Sequence, residues 1–145
     1  MKPTHIILHH SLTKDSKTVS KQAIERYHVN TLKYKKGGYH FYIEDINGTI
    51  EVIVGRYLTE DGAHCKQQGM NQYSIGICIV GNFDLTSPSR EIWLKTVDFT
   101  RSLCTSLTIP TMNIRAHRHF ANYKTCPGDK WNMDKFRHDV IFGLI

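Results

Sequence analysis

Apolar residues come in short bursts along this chain, separated by polar stretches punctuated with glycine, proline or asparagine. The first burst, Ile6-Ile7-Leu8 within the segment Thr4 to His9, ends on two histidines, His9 and His10. It is too short for a helix and predicts a buried strand. From Ser20 to Val29 the spacing changes. Ala23, Ile24, Tyr27 and His28 recur at helical intervals behind Ser20, a residue suited to cap the first turn. Gly37-Gly38 breaks the chain, and Tyr39 to Asp45 alternates with aromatics and isoleucine. Asn47-Gly48 then predicts a tight turn, with Thr49 to Val54 as the returning strand of a hairpin.

Residues 55 to 73 are polar and carry Gly55, Gly62 and Gly69, the pattern of a long loop, and long loops in compact domains tend to be functional. Ser74 to Val80 is apolar and β-branched, as in a central strand. Ser87-Pro88 predicts the start of the longest helix, with proline in its first turn. Ile92, Thr96, Phe99 and Leu103 mark its buried side, and Trp93, Val97 and Cys104 widen it; the helix ends before Pro110. Asn113 to Ala116 is a short strand running into His117, a polar loop reaches Trp131, and a last helix covers Met133 to Leu144. Strand, helix, hairpin, strand, helix, strand, helix is the order of a single α/β domain over residues 1–145, with a mixed central β-sheet flanked by helices.

Composition changes this picture little: 40% apolar and 22% charged residues are ordinary for a soluble globular domain. The first apolar run is too short for a signal peptide or a membrane span, so synthesis in the cytoplasm and no membrane insertion are the expectation. The net charge of +6 favours anionic partners. No compact Lys/Arg block with interleaved aromatics occurs, so nucleic acid is not expected as a partner. Lys33, Lys35 and Lys36, just before the Gly-Gly break, read as a solvated turn. The four cysteines match no disulfide framework and no paired zinc motif, so free thiols are expected. Cys78 and Cys104 lie among apolar neighbours and read as core, whereas Cys126 lies in a polar loop where a thiolate can serve as a ligand.

Nine histidines are many for this length. His5, His28 and His138 fall on ordinary strand or helix positions and read as structural or exposed. His9 and His10 end one predicted strand, and His117 and His119 follow another. Strand ends are where α/β sheets gather their sites. Because successive side chains of a strand point to opposite faces, only one of His9 and His10 can enter such a site. A catalytic zinc takes three protein ligands and keeps one position open; His9, His117 and Cys126 can supply that set, with His119 an alternative to His117.

Six short segments, taken in order, resemble the zinc-dependent N-acetylmuramoyl-L-alanine amidases, a family that includes phage endolysins and the animal peptidoglycan recognition proteins. They are Ile7-Leu8-His9-His10-Ser11, Gly38-Tyr39-His40-Phe41, Asp45 to Ile50 with Gly55-Arg56 after it, Gly62-Ala63-His64 with Asn71 to Gly76, Arg115-Ala116-His117-Arg118, and Lys124-Thr125-Cys126-Pro127-Gly128. The resemblance implies an amidase and recognition protein-like fold that holds one zinc ion on His9, His117 and Cys126. It implies that Tyr39 and Lys124 assist the attacking water and the developing oxyanion, and that His40, His64 and Asn71 contact substrate. The implied substrate is the amide between N-acetylmuramic acid and L-alanine in bacterial peptidoglycan. The implied setting is a monomeric endolysin that reaches the cell wall after its release from the cytoplasm. Cys78 after Ser74-Ile75-Gly76-Ile77, and cysteine rather than aspartate at position 126, both look like the phage branch. Two other readings stay open here: a recognition module that binds peptidoglycan without cutting it, and a cysteine hydrolase with Cys126 as nucleophile and His117 as base. Glu51 is the acidic residue left open as a general base.

Overall fold

The computed structural model describes residues 2–12, 21, 22, 24, 25, 29 and 37–143. Five strands form one mixed sheet: β1 (His5–His10), β2 (Phe41–Ile46), β3 (Thr49–Val54), β4 (Ser74–Ile79) and β5 (Ile114–Ala116), in the order β3-β2-β4-β1-β5. β1 runs parallel to β4 and β5, β2 runs parallel to β4, and β2 and β3 form the antiparallel hairpin. The hairpin turn has Asn47 at φ 53° and Gly48 at φ 88°, the paired positive values that a two-residue primed turn requires. The Asp45 carboxylate accepts the Gly48 N–H at 2.8 Å and fixes that turn.

β1 and β4 are covered on both faces, which is why their sequences are continuous apolar runs instead of alternating ones. On one face, Ile6, Leu8, Ile75, Ile77 and Ile79 pack with Trp93, Val97, Trp131 and Phe136 in the main core. On the other, Ile7 joins a small cluster with Cys65, Met70 and Phe120. Since His9 follows Ile7 by two residues, it belongs to this second, thinly covered face.

The helices differ from the sequence expectation mainly at their ends. Residues 55 to 73 are not all loop: a 3₁₀ turn (Gln67–Gly69) and the short helix α1 (Met70–Tyr73) precede β4. Four residues, of which only Met70 is buried, are too few to show a helical period. Helix α2 (Arg90–Leu107) starts after Ser87-Pro88, because Ser89 takes the cap position and its hydroxyl accepts the Ile92 N–H at 3.2 Å. Pro88 is therefore outside the first turn. Ile92, Trp93, Thr96, Val97, Leu103 and Cys104 are buried as expected, while Phe99 is half-buried against Phe41. Helix α3 (Met133–Phe142) is capped by Asn132 and closed by Gly143, one residue short of Leu144, which lies outside the described residues. Of the expected helix from Ser20 to Val29, residues Lys21, Gln22, Ile24, Glu25 and Val29 are helical. Ser20, Ala23, Tyr27 and His28, with the lysines at 33, 35 and 36, lie outside the described residues. All four cysteines are free and buried. No helix among the described residues is long and apolar enough to cross a membrane.

Candidate metal centre

Leu8 on β1 pairs with Ala116 on β5, so the next residues along the two parallel strands, His9 and His117, lie side by side at the C-terminal end of the sheet. Their ring centroids lie 4.5 Å apart. Cys126 reaches the same point from the loop beyond β5. The donor atoms of His9, His117 and Cys126 lie within 4.8 Å of one another, and all three residues are buried. His10, one residue on, faces the other way: its ring stacks on Phe83, and its Nδ1 accepts the Phe83 N–H at 3.1 Å. The His10 backbone N–H nevertheless donates to Cys126 Sγ at 3.3 Å. His119 is exposed, and its Nδ1 accepts the Ala116 N–H at 3.1 Å, so His117 and not His119 joins the cluster.

The loop that carries Cys126 is held by residues outside the expected site. The Arg118 guanidinium donates to the carbonyls of Thr125, Gly128 and Trp131 at 3.1, 2.9 and 3.2 Å. The Asp84 carboxylate accepts the Thr125 hydroxyl at 2.8 Å and the Asp129 N–H at 2.9 Å. At Gly128, φ is +121° and a Cβ would stand 2.5 Å from the backbone of Phe83, so only glycine permits this approach. Arg118 could have been noticed from its place beside His117. Asp84 carried no sequence signal, because its partners are about forty residues away.

Burial sets the electrostatics. It holds His9 well below the ordinary imidazole range, with further lowering from His64, His117 and Lys124. Burial and then the Lys124 charge bring His117 to about 4. Burial pushes the Cys126 thiol up to about 12, opposed by the His10 N–H and by Lys124. Without a cation the centre is two neutral imidazoles and a thiol. Neutral imidazole is the ligand form of histidine, and a metal ion deprotonates a coordinating thiol. Two nitrogen donors and one sulfur, buried and convergent, fit a zinc ion with one position left open. They do not fit a cysteine nucleophile, which needs a lowered thiol pKa.

A cleft of about 230 Å³ opens at His117, lined on one side by residues 63–67 and Asn71 and on the other by Tyr123 and Lys124. Gln67 Nε2 donates to the Tyr123 hydroxyl at 3.1 Å and links the two walls. Lys124 is exposed, with its ammonium 5.9 Å from the centre of the Tyr123 ring. Tyr39 is half-buried, its ring centroid 5.0 Å from that of His9. Asn71 Oδ1 accepts the backbone N–H groups of His64 and Cys65, both at 2.8 Å, and so shapes the cleft wall. His64 lines the cleft, with its ring edge-on to His9. His40 is fully buried; its Nδ1 accepts the Gly76 N–H at 3.1 Å and its Nε2 donates to the Glu60 carbonyl at 2.8 Å. Neither of its nitrogens is left for a ligand. Glu51 is exposed on the edge strand β3, and the described lining of the cleft contains no carboxylate.

A small α/β domain with an open cleft above two histidines and a cysteine is the class that this fold and site define. The model of the N-acetylmuramoyl-L-alanine amidase family matches residues 1–129. The endolysin of Klebsiella phage KP32 is 31% identical over 126 residues, covering 86% of this chain and 80% of that protein. The endolysin of Escherichia phage T7 is 39% identical over 79 residues, covering 54% of this chain and 48% of that protein. The structure of the N-acetylmuramoyl-L-alanine amidase LysC from Clostridium intestinale URNW superposes with a TM-score of 0.82 at 24% identity, covering 97% of this chain and 86% of that one. The chain belongs to the N-acetylmuramoyl-L-alanine amidase family, and it is an amidase.

Proposed function

We propose that this protein is a zinc-dependent amidase that hydrolyses the bond between N-acetylmuramic acid and L-alanine in peptidoglycan, and that it acts as a phage-type endolysin. The observation that carries the reading is the convergence of His9, His117 and Cys126 beneath a cleft that also holds Lys124. His9, His117 and Cys126 would hold the ion. When bound, zinc supplies Lewis acidity, polarising the amide carbonyl and lowering the pKa of the attacking water.

The remaining work falls to the chain's own groups. Lys124, exposed on the lining of the cleft, would donate to the oxygen that becomes negative as the carbonyl is attacked. The Tyr39 hydroxyl is assigned the same task from the side of His9. The cleft wall built on Asn71 and the Gln67–Tyr123 link would orient the stem peptide. His40 is assigned to the wall and not to the substrate, because both of its nitrogens are spent on backbone. With no carboxylate in the described lining of the cleft, a carboxylate-pair glycosidase mechanism has no support. A recognition module that binds without cutting has no need of the complete donor set present here.

The test is to incubate purified peptidoglycan with the protein and identify the bond cut by mass spectrometry. Intact glycan chains and free stem peptides beginning with L-alanine are expected. New reducing sugar ends, or full activity in protein shown by elemental analysis to be metal-free, would overturn the reading.

A further inference from the structure

His64 is buried behind the metal centre, and its surroundings define which of its nitrogens carries the proton. The Ser74 hydroxyl commits its hydrogen to the Met70 carbonyl at 2.6 Å. Towards His64 Nε2, 3.4 Å away, Ser74 Oγ can therefore act only as an acceptor, and His64 must be protonated at Nε2. A neutral imidazole protonated at Nε2 has a bare Nδ1. That Nδ1 lies 2.8 Å from His9 Nε2, so His9 must donate there and must itself be protonated at Nε2. The nitrogen of His9 left with a free lone pair is Nδ1.

The ring of His64 is also fixed in place. A Cβ at Gly62 would stand 2.4 Å from its Cδ2, and a Cβ at Gly76 would stand 2.5 Å from the same atom. Two glycines on different segments thus leave the room that the imidazole occupies. Asn71 Oδ1 accepts the His64 backbone N–H at 2.8 Å and anchors the residue that carries the ring.

We propose that His64 is a positioning residue: the chain Met70 carbonyl, Ser74 hydroxyl, His64, His9 fixes the tautomer of His9 and presents its Nδ1 to the metal position. This rests on the zinc reading for its purpose but not for its hydrogen-bond order. Partners that orient a histidine ligand in this way typically hold about 10- to 100-fold of metal affinity. The role also separates His64 from a substrate contact, since both its ring nitrogens are engaged within the protein.

The experiment uses ¹⁵N-labelled full-length protein and long-range ¹H–¹⁵N correlations of the imidazole rings, with and without one equivalent of zinc. In the metal-free protein, His9 and His64 should both be protonated at Nε2; a His9 protonated at Nδ1 overturns the proposal. With zinc, the His9 Nδ1 resonance should move and Nε2 should keep its proton; coordination through Nε2 overturns it equally. His64→Ala should weaken zinc binding, measured by chelator competition, by about 10- to 100-fold. His64→Asn, whose side-chain oxygen occupies the place of Nδ1, should recover most of that loss. Equal affinities for wild type and His64→Ala, or no difference between the Ala and Asn variants, would reject the positioning role. If the wild type binds no zinc at all, the zinc reading fails while the tautomer measurement still decides the hydrogen-bond order.

Discussion

Cys126 and Lys124 stand two residues apart on one loop, yet removing each should have different consequences. Cys126→Ser replaces a potential thiolate by a hydroxyl that stays protonated. The variant should lose zinc, activity and thermal stability together, because metal binding is linked to folding. Lys124→Ala and Tyr39→Phe should keep stoichiometric zinc by elemental analysis. They should lose about 100- to 1,000-fold in turnover if each donates to the oxyanion, roughly 2.7 to 4 kcal/mol of barrier. Full activity in both would leave the metal centre standing but remove the assigned helpers. The histidines make a separate pH prediction for the metal-free protein. His117 titrates at about 4 and His64 at about 3 in the fold, against 6.5 for a free imidazole. Between those values the unfolded chain binds more protons than the native one. The stability is therefore fully present above about 6.5 and is lost as pH falls through the folded values. The melting temperature of metal-free protein should drop steadily from pH 7 to pH 4, and a flat profile would contradict the burial of neutral imidazoles.

At the level of elements, α2 and α3 are fastened to each other by a small group of polar contacts around Asp139. Trp93 Nε1 donates to Asp139 Oδ2 at 2.8 Å, and Arg101 donates to the carbonyls of Asp139 and Val140, both at 2.8 Å. That hydrogen bond from the indole is the main reason the Asp139 carboxyl lies below its usual range. Asp139→Ala should leave the indole N–H buried without its acceptor and cost about 1 to 3 kcal/mol in chemical denaturation. Zinc content and activity of the folded fraction should be unchanged, since neither helix reaches the cleft. The helices also mark where sequence reasoning stops. The strands and the Asn47-Gly48 hairpin were legible because each rests on a local pattern. The start of α2 was misplaced because Ser87 and Ser89 offer the same capping chemistry, and only packing chooses between them. The grouping of His9, His117 and Cys126 was legible through motif order, while Asp84, Arg118 and the Gly62–Gly76 slot depend on contacts between distant segments. His40 illustrates the opposite case: its motif pointed to substrate, but its nitrogens are taken up by Gly76 and Glu60.

Across the whole molecule, the net charge of +6 should favour encounter with anionic cell envelopes. Exposed charges are screened over about 8 Å at physiological ionic strength. Lysis of outer-membrane-stripped cells should therefore slow as salt rises, while cleavage of a small neutral muropeptide should change much less. Equal salt responses would remove charge steering from the account. The position of β1 has a consequence of another kind, in the order of synthesis. This strand is made well before its neighbours in the sheet, since His5 pairs with Ser74 and Ile6 with Ile114, and its His10 N–H waits for Cys126, 116 residues later. Such distant pairings close slowly. A ribosome that stalls before Ile114 releases a chain in which the buried strand β1 still has an open edge, and open apolar edges pair with other chains. An unfinished copy of this protein should thus be prone to aggregation, and any fragment short of Cys126 would lack the proposed centre.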